Sequence, residues 1–213
     1  VGESGCGKST TAYAILGLEP VTSGNISFAG RDITALDRSA RRALAGEMQI
    51  VFQDPSAALD PKMRIADSIA EPLAIAGASR AEQRRRVAEL LDRVGLAASH
   101  GARTPDALSG GQRQRVVVAR ALALSPKLVI LDEPVSALDV SIRSQILNLL
   151  MQLQRELELA YLFISHDLSV VRHIADEAIV MYLGTAVEKG PIDELFRSPR
   201  HPYTQALLSA IPL

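Results

Sequence analysis

Two clusters of residues in this chain could do chemistry. The first is Gly2-Glu3-Ser4-Gly5-Cys6-Gly7-Lys8-Ser9-Thr10, which fits the pattern G-x-x-x-x-G-K-[ST]. Glycines let successive backbone N–H groups turn inward around phosphate oxygens, and the helix that follows points its positive end at them. Lys8 can reach the β- and γ-phosphates as a point charge, and the Ser9 hydroxyl is a hard oxygen ligand for Mg²⁺. The second cluster is Leu128-Val129-Ile130-Leu131-Asp132-Glu133-Pro134, an apolar run ending in adjacent carboxylates. There Asp132 suits a metal shell, and Glu133 stands next to where an attacking water would sit. An apolar strand ending in acidic turn residues is common on its own. In the same chain as a phosphate loop it reads as the other half of an ATP or GTP site.

These residues need elements to hold them. Residues 9–16 suit a short helix closed by Gly17, and runs at 25–28 and 48–52 suit short strands. Residues 65–124 read as mostly helical. In that stretch Ser79 and Glu82 make a capping box, and Val87, Leu90, Leu91 and Val94 line one face of a helix that ends at Gly95. The run Arg84-Arg85-Arg86 on it reads as a solvated face. Beyond it come a buried-strand run at 128–131, an amphipathic helix at 141–157, a strand at 161–164, a helix near 168–175 and a strand near 178–182. Such alternation argues for an α/β fold with a parallel sheet covered on both faces, interrupted by an inserted helical subdomain.

Composition narrows the function classes. In 213 residues the formal net charge is −1, so no bulk positive field holds nucleic acid or an anionic membrane surface. With 47% hydrophobic and 22% charged residues the chain is an ordinary globular one. No uncharged stretch approaches the roughly 18–20 residues of a transmembrane helix. Cys6 is the lone cysteine, which leaves no internal disulfide and fits a reducing compartment. The chain opens on Val1 without Met and stops in an apolar run, and both ends read as cut.

Leu108-Ser109-Gly110-Gly111-Gln112, about twenty residues before Asp132, names the family. By itself it is a helix cap and an anion-binding turn. Set between the two clusters it makes the chain resemble the ATP-binding cassette (ABC) ATPases along essentially its whole length. Gln53 is similar to their Q-loop glutamine, Ser136-Ala137-Leu138-Asp139 to their D-loop, and His166 to their switch histidine. The resemblance implies a phosphate-loop NTPase core with a mostly parallel sheet, an inserted helical subdomain and a partial antiparallel β subdomain. It implies core segments 1–64 and 126–200, a helical signature subdomain at 65–125, and a C-terminal extension starting at 201–213. It also implies that two cassettes pair head to tail around ATP and Mg²⁺. Gly2, Glu3, Ser4, Gly5, Cys6, Gly7, Lys8, Ser9, Thr10 and Gln53 would bind nucleotide, with Ser9, Gln53 and Asp132 toward the metal. Glu133 and His166 would be catalytic, while Ser109, Gly110, Gly111 and Gln112 would act on the partner's ATP and Asp139 at the D-loop. His100, His173 and His201 read as structural.

Longer strings look like the ATPases of dipeptide/oligopeptide importers, whose nickel and glutathione relatives share them. These are the strings at 51–61, 133–142, 163–173 and, most specifically, 201–212. The second, F-type partner of such a pair is the better match. The implied partners are a second homologous cassette, two transmembrane permease subunits and, indirectly, an extracytoplasmic solute-binding protein, with no nucleic acid. The implied place is the cytoplasmic face of the cell membrane, as a peripheral subunit. Two other classes compete: a soluble ABC ATPase working on nucleic acid or ribosomes, and a catalytically silent partner cassette. The first would bring a long coiled coil or basic patches, and the second would lack Lys8, Glu133 or His166.

Overall fold

A computed structural model describes residues 1–210; Ile211, Pro212 and Leu213, the end of the predicted extension, lie outside the described residues. The chain divides into two compact units, one of residues 1–41 together with the chain from 163 onward, the other of residues 42–162.

The first unit opens with the glycine-rich loop and α1 (Lys8–Leu16), which stops at Gly17 as its sequence predicts. A small antiparallel ribbon follows, β1 (Ser27–Phe28) against β2 (Arg31–Asp32). It is shorter than the predicted run because Ile26 turns out to bond a side chain, its N–H donating to Thr34 Oγ1 at 2.7 Å. Helix α2 (Arg38–Leu44), with little apolar periodicity, is not predicted from the sequence.

In the second unit β3 (Met48–Val51) lies parallel to β4 (Leu128–Asp132), in register from Met48 opposite Leu128 to Val51 opposite Leu131. The sheet order is β3-β4-β5, with β5 at Ala160–Ile164. As the middle strand, β4 is buried from Val129 to Asp132, which is why its sequence is a continuous apolar run instead of an alternating one. The stretch between β3 and β4 is helical: α3 (Ile65–Ile75), α4 (Arg80–Arg93), two short 3-10 turns and α5 (Gly110–Ala121). Both halves of the Ser79/Glu82 capping box are present, and Val87, Leu90, Leu91 and Val94 are buried as predicted. Helix α6 (Val140–Leu157) buries Ile146, Leu147, Leu149, Leu150 and Leu153, each contributing about 1.5–3 kcal/mol when removed fully from water. Arg86 departs from the solvated-face reading. Its guanidinium donates to the Leu122 and Ala123 carbonyls at 2.9 and 3.3 Å and to Ser125 Oγ, closing the end of α5.

The chain then re-enters the first unit with α7 (Leu168–Ile174), β6 (Glu177–Tyr182), β7 (Thr185–Pro191), α8 (Ile192–Arg197) and α9 (Pro202–Ser209). β6 and β7 form an antiparallel hairpin whose two-residue tip, Leu183-Gly184, has φ of 47° and 82°. Two left-handed residues give the turn whose twist matches its strands, at some strain for Leu183. Val171, Ala178, Ile192 and Leu195 make the local core, with Val1, Phe163 and Phe196 packed on it. No described helix is long and apolar enough to cross a membrane.

Candidate functional site

The phosphate loop is closed around its own lysine. Lys8 is buried, and its ammonium donates to the Gly2 carbonyl at 2.7 Å and the Glu3 carbonyl at 2.8 Å, with Cys6 Sγ at 3.8 Å. Glu3, Ser4, Gly5 and Thr10 are exposed, Gly7 and Ser9 half-buried, and the Cys6 side chain is buried beneath them. Gly2 has φ 151°, and a Cβ there would lie 2.2 Å from the Met181 carbonyl oxygen and 2.7 Å from Cys6 Sγ. Gly7 caps α1 in the left-handed region at φ 97°, with no side chain to cap the helix and no acidic residue in its first turn. An uncapped helix start above a buried ammonium is a fit for an anion.

The loop is held from outside by residues far along the chain. Val1 donates to Ile179 O at 2.7 Å and accepts from Met181 N at 2.7 Å, the bonding pattern of a parallel bridge beside β6. Gly184 N donates to Cys6 O at 3.2 Å. From α9, the Tyr203 hydroxyl accepts the Glu3 N–H at 3.0 Å, and the Tyr203 ring packs on that of Tyr182 at 4.3 Å between centroids. Burial pushes the Tyr203 phenol up from its ordinary value, which keeps it neutral. The start of α9 is pinned by Glu188 of β7, whose carboxylate accepts the Arg200 and His201 N–H groups at 2.8 and 3.0 Å. Partial burial opposes the charge on Glu188. Those two N–H groups help to outweigh it, and the carboxyl is held below the usual range. His201 itself is structural, as predicted: its Nδ1 caps α9 by accepting from Tyr203 N at 3.1 Å.

Also in this unit, His166 is exposed between the end of β5 and α7. Its neighbours fix the turn: Asp167 N donates to the buried Ser165 hydroxyl at 3.0 Å, and the Asp167 carboxylate caps α7 by accepting from Ser169 N and Val170 N.

In the second unit β4 ends on a buried Asp132 and a half-buried Glu133. Glu133 has φ 48°, a left-handed conformation costly for a long side chain. Its carbonyl is tied by Ser136 N at 3.2 Å and Ser136 Oγ at 3.0 Å. Gln53 donates its side-chain N–H to Glu133 Oε2 at 3.2 Å, so these two sequence-predicted residues do come together. That bond uses the Gln53 nitrogen and leaves its oxygen for a cation. Ser9 in the first unit carries a hydroxyl, and Gln53 and Asp132 in the second an amide and a carboxylate oxygen, each taken by itself a hard donor of the kind that suits Mg²⁺.

Ser109 begins α5 with a closed capping box. Its Oγ accepts from Gln112 N at 3.3 Å, while its own N–H donates to Gln112 Oε1 at 3.0 Å. Gly111 packs on Ile142 of α6, where a Cβ would lie 2.6 Å from a methyl, and Gly110 has nothing nearer than Leu138 at 3.8 Å. Gln112 continues to His100, whose other nitrogen faces the Ala97 carbonyl, so His100 is structural as predicted. Asp139 starts α6 without its side chain bonding the helix, and it is exposed.

Residues 1–136 match the family described as ABC transporter. The chain belongs to that family. Residues 187–213 of this ABC protein also match the C-terminal region of oligopeptide/dipeptide transporters. The cassette is 53% identical over its whole length to the "Di/tripeptide transport ATP-binding protein DppF" of Pseudomonas aeruginosa, covering 66% of that protein. It is 54% identical to the "Dipeptide transport ATP-binding protein DppF" of Escherichia coli K12, covering 64% of it. The chain thus spans about two thirds of the length of these curated relatives. Among solved structures, the dimeric post-hydrolysis state of the ATP-binding cassette MJ0796 bound to ADP and Pi superposes with a TM-score of 0.79. The two are 30% identical, and the match covers 90% of this chain and 83% of that one. The fold is therefore the α/β phosphate-loop NTPase fold.

Sequence reasoning did not find Tyr203, Tyr182 or Glu188 as supports of the loop. A signal for the start of α9 is present in His201-Pro202, since Pro is pre-organised for the first helical position, but no helix is predicted there. Nothing local links Tyr203 to Glu3, 200 positions away.

Proposed function

We propose that this chain is the ATP-hydrolysing cassette that energises an importer of peptides or a related small solute, such as nickel or glutathione. The match of residues 187–213 to the oligopeptide/dipeptide transporter C-terminal region carries the reading, because it adds a transporter-specific segment to a general cassette. In this reading residues 1–64 and 126–200 are the nucleotide-binding core and 65–125 the signature subdomain. The partners are a second cassette, two permeases and indirectly a solute-binding protein, at the cytoplasmic face of the membrane.

The chain's residues divide the work. The loop amides from Gly5 to Thr10 and the Lys8 ammonium bind and orient the phosphates of ATP, and Lys8 exchanges its bonds to Gly2 and Glu3 for phosphate oxygens. Ser9, Gln53 and Asp132 would hold Mg²⁺, which would supply charge neutralisation to the bound phosphates. Glu133 takes the proton of the attacking water, and the Gln53 amide fixes one of its oxygens so that the other faces the water. His166 holds the γ-phosphate and water in place, and the start of α5 on the partner cassette donates N–H groups to the charge that spreads in the transition state.

Glu133→Gln in the full-length protein, assembled with its permeases, tests the catalytic assignment. The amide is nearly isosteric, so ATP binding and ATP-dependent dimers should persist while turnover falls by about a hundredfold or more. Turnover within about tenfold of wild type would remove Glu133 from the mechanism. Uptake of a labelled dipeptide tests the importer: deletion of the gene should abolish it, and wild type but not Lys8→Ala should restore it.

A further inference from the structure

The peptide unit joining Gly2 and Glu3 is gripped at both ends. Its carbonyl oxygen accepts from the Lys8 ammonium at 2.7 Å, and its N–H donates to the Tyr203 hydroxyl at 3.0 Å. We propose that Tyr203 is a positioning residue for nucleotide binding, fixing this peptide plane and through it the resting place of the Lys8 ammonium.

The geometry favours a set position over simple packing. A peptide plane can rotate between its flanking Cα atoms through ψ of the residue before it and φ of the residue after, and glycine at position 2 leaves that ψ the freest choice. Rotation would carry the Gly2 oxygen away from Lys8, leaving a buried ammonium with one carbonyl fewer. The hydroxyl on the far side blocks that rotation, and bonds at the two ends of one amide polarise each other. Tyr203 is itself held on three sides: its ring lies on Tyr182, its helix is capped by His201, and Glu188 bonds the two N–H groups that precede Pro202. Tyr182 adjoins the hairpin tip whose Gly184 N–H bonds Cys6 O in the same loop. The first turn of α9 is therefore mechanically continuous with the phosphate loop. Whatever shifts α9 shifts the readiness of the loop, so the segment that begins at His201 can tune nucleotide affinity without touching nucleotide.

This rests on the reading that the loop binds ATP, and the experiment separates the two. In the full-length protein Tyr203→Phe keeps the ring pair and removes only the acceptor. Binding of a fluorescent ATP analogue is measured with Lys8→Ala as the control, alongside hydrogen exchange at the Glu3 amide without nucleotide. Tyr203→Phe should weaken binding about two- to tenfold, the range of one hydrogen bond, with kcat at saturating ATP and the melting temperature little changed. Exchange at Glu3 should quicken. Glu188→Gln, which loosens the start of α9, should shift affinity in the same direction by less. Unchanged affinity and unchanged Glu3 exchange in Tyr203→Phe would overturn the proposal, as would a loss confined to kcat. If wild type and Lys8→Ala bind the analogue equally, the ATP reading fails, and the positioning of nucleotide fails with it even if the exchange contact stands.

Discussion

The phosphate loop and the signature turn each lead into a helix that the proposed function points at phosphate, yet they are built in opposite ways. The signature turn is made by residues within three positions of each other: Ser109 and Gln112 satisfy each other's backbone N–H groups, and α5 follows. The phosphate loop has no such cap. Gly7 begins α1 in a left-handed conformation, and the loop is supported by Met181, Gly184 and Tyr203, whose bonds to it come from the far end of the sequence. A local cap gives a rigid donor set that forms with its own helix. A remotely braced loop can instead be adjusted by the elements that brace it. The difference matches the proposed roles, one presenting fixed donors to a partner's nucleotide and the other exchanging its own lysine's bonds when ATP arrives.

The sharpest way to break the comparison is at the remote brace. Gly2→Ala puts a Cβ 2.2 Å from the Met181 carbonyl oxygen, a backbone atom that cannot move without the hairpin. It should cost about 4 kcal/mol or more in chemical denaturation and abolish nucleotide binding. If the variant were as stable as wild type and bound ATP, the loop would owe nothing to β6. The matching change in the local turn is milder. Ser109→Ala removes one acceptor at the start of α5 and should cost about 1 kcal/mol. For a chain of this size that is roughly 2–4 °C in melting temperature. It should leave ATP binding by the isolated subunit intact, because in the proposed function the turn acts on the partner's nucleotide.

The smallest effect concerns pH. Burial raises the Glu188 carboxyl, but the N–H groups of Arg200 and His201 bond its charged form, and it is held below the usual carboxylate range in the folded chain. A lowered folded value means that the charged form contributes stability above the unfolded value and loses it as pH falls through the folded one. The difference in melting temperature between wild type and Glu188→Gln should therefore be small and constant near neutrality, then shrink as pH drops below the ordinary glutamate range. A difference that grew on acidification would contradict the hydrogen bonds.

What could be read in advance follows the same division. The Ser79/Glu82 and Ser109/Gln112 caps, the apolar run of β4 and the buried face of α4 were legible because each is written in neighbouring residues. Helices α2 and α8 were not. They are six or seven residues long, and only Leu44 in α2 and Ile192 and Leu195 in α8 are buried, too few to set a period. Arg86 was read as solvated because its partners, the carbonyls ending α5, lie more than thirty residues on. Gln53 and Glu133 were both named from motifs, but the bond between them spans 80 positions and no motif states it. The left-handed backbone at Glu133 was equally hidden, since glutamate is a poor choice for that conformation.

The bond between Glu3 and Tyr203 joins positions 200 apart, so it also sets an order in time. A ribosome adds roughly 5–20 residues per second, so about 10–40 seconds separate the two residues during synthesis. The signature cap can close as soon as Gln112 has emerged. The loop near the start of this chain must instead wait, first for Met181 and Gly184, then for Tyr203. Through that interval the nascent chain can fold its helices, yet its lysine has no fixed seat. The earliest residues of this stretch are thus the last to be finished, and a chain interrupted before α9 carries the whole glycine-rich loop without the tyrosine that bonds it.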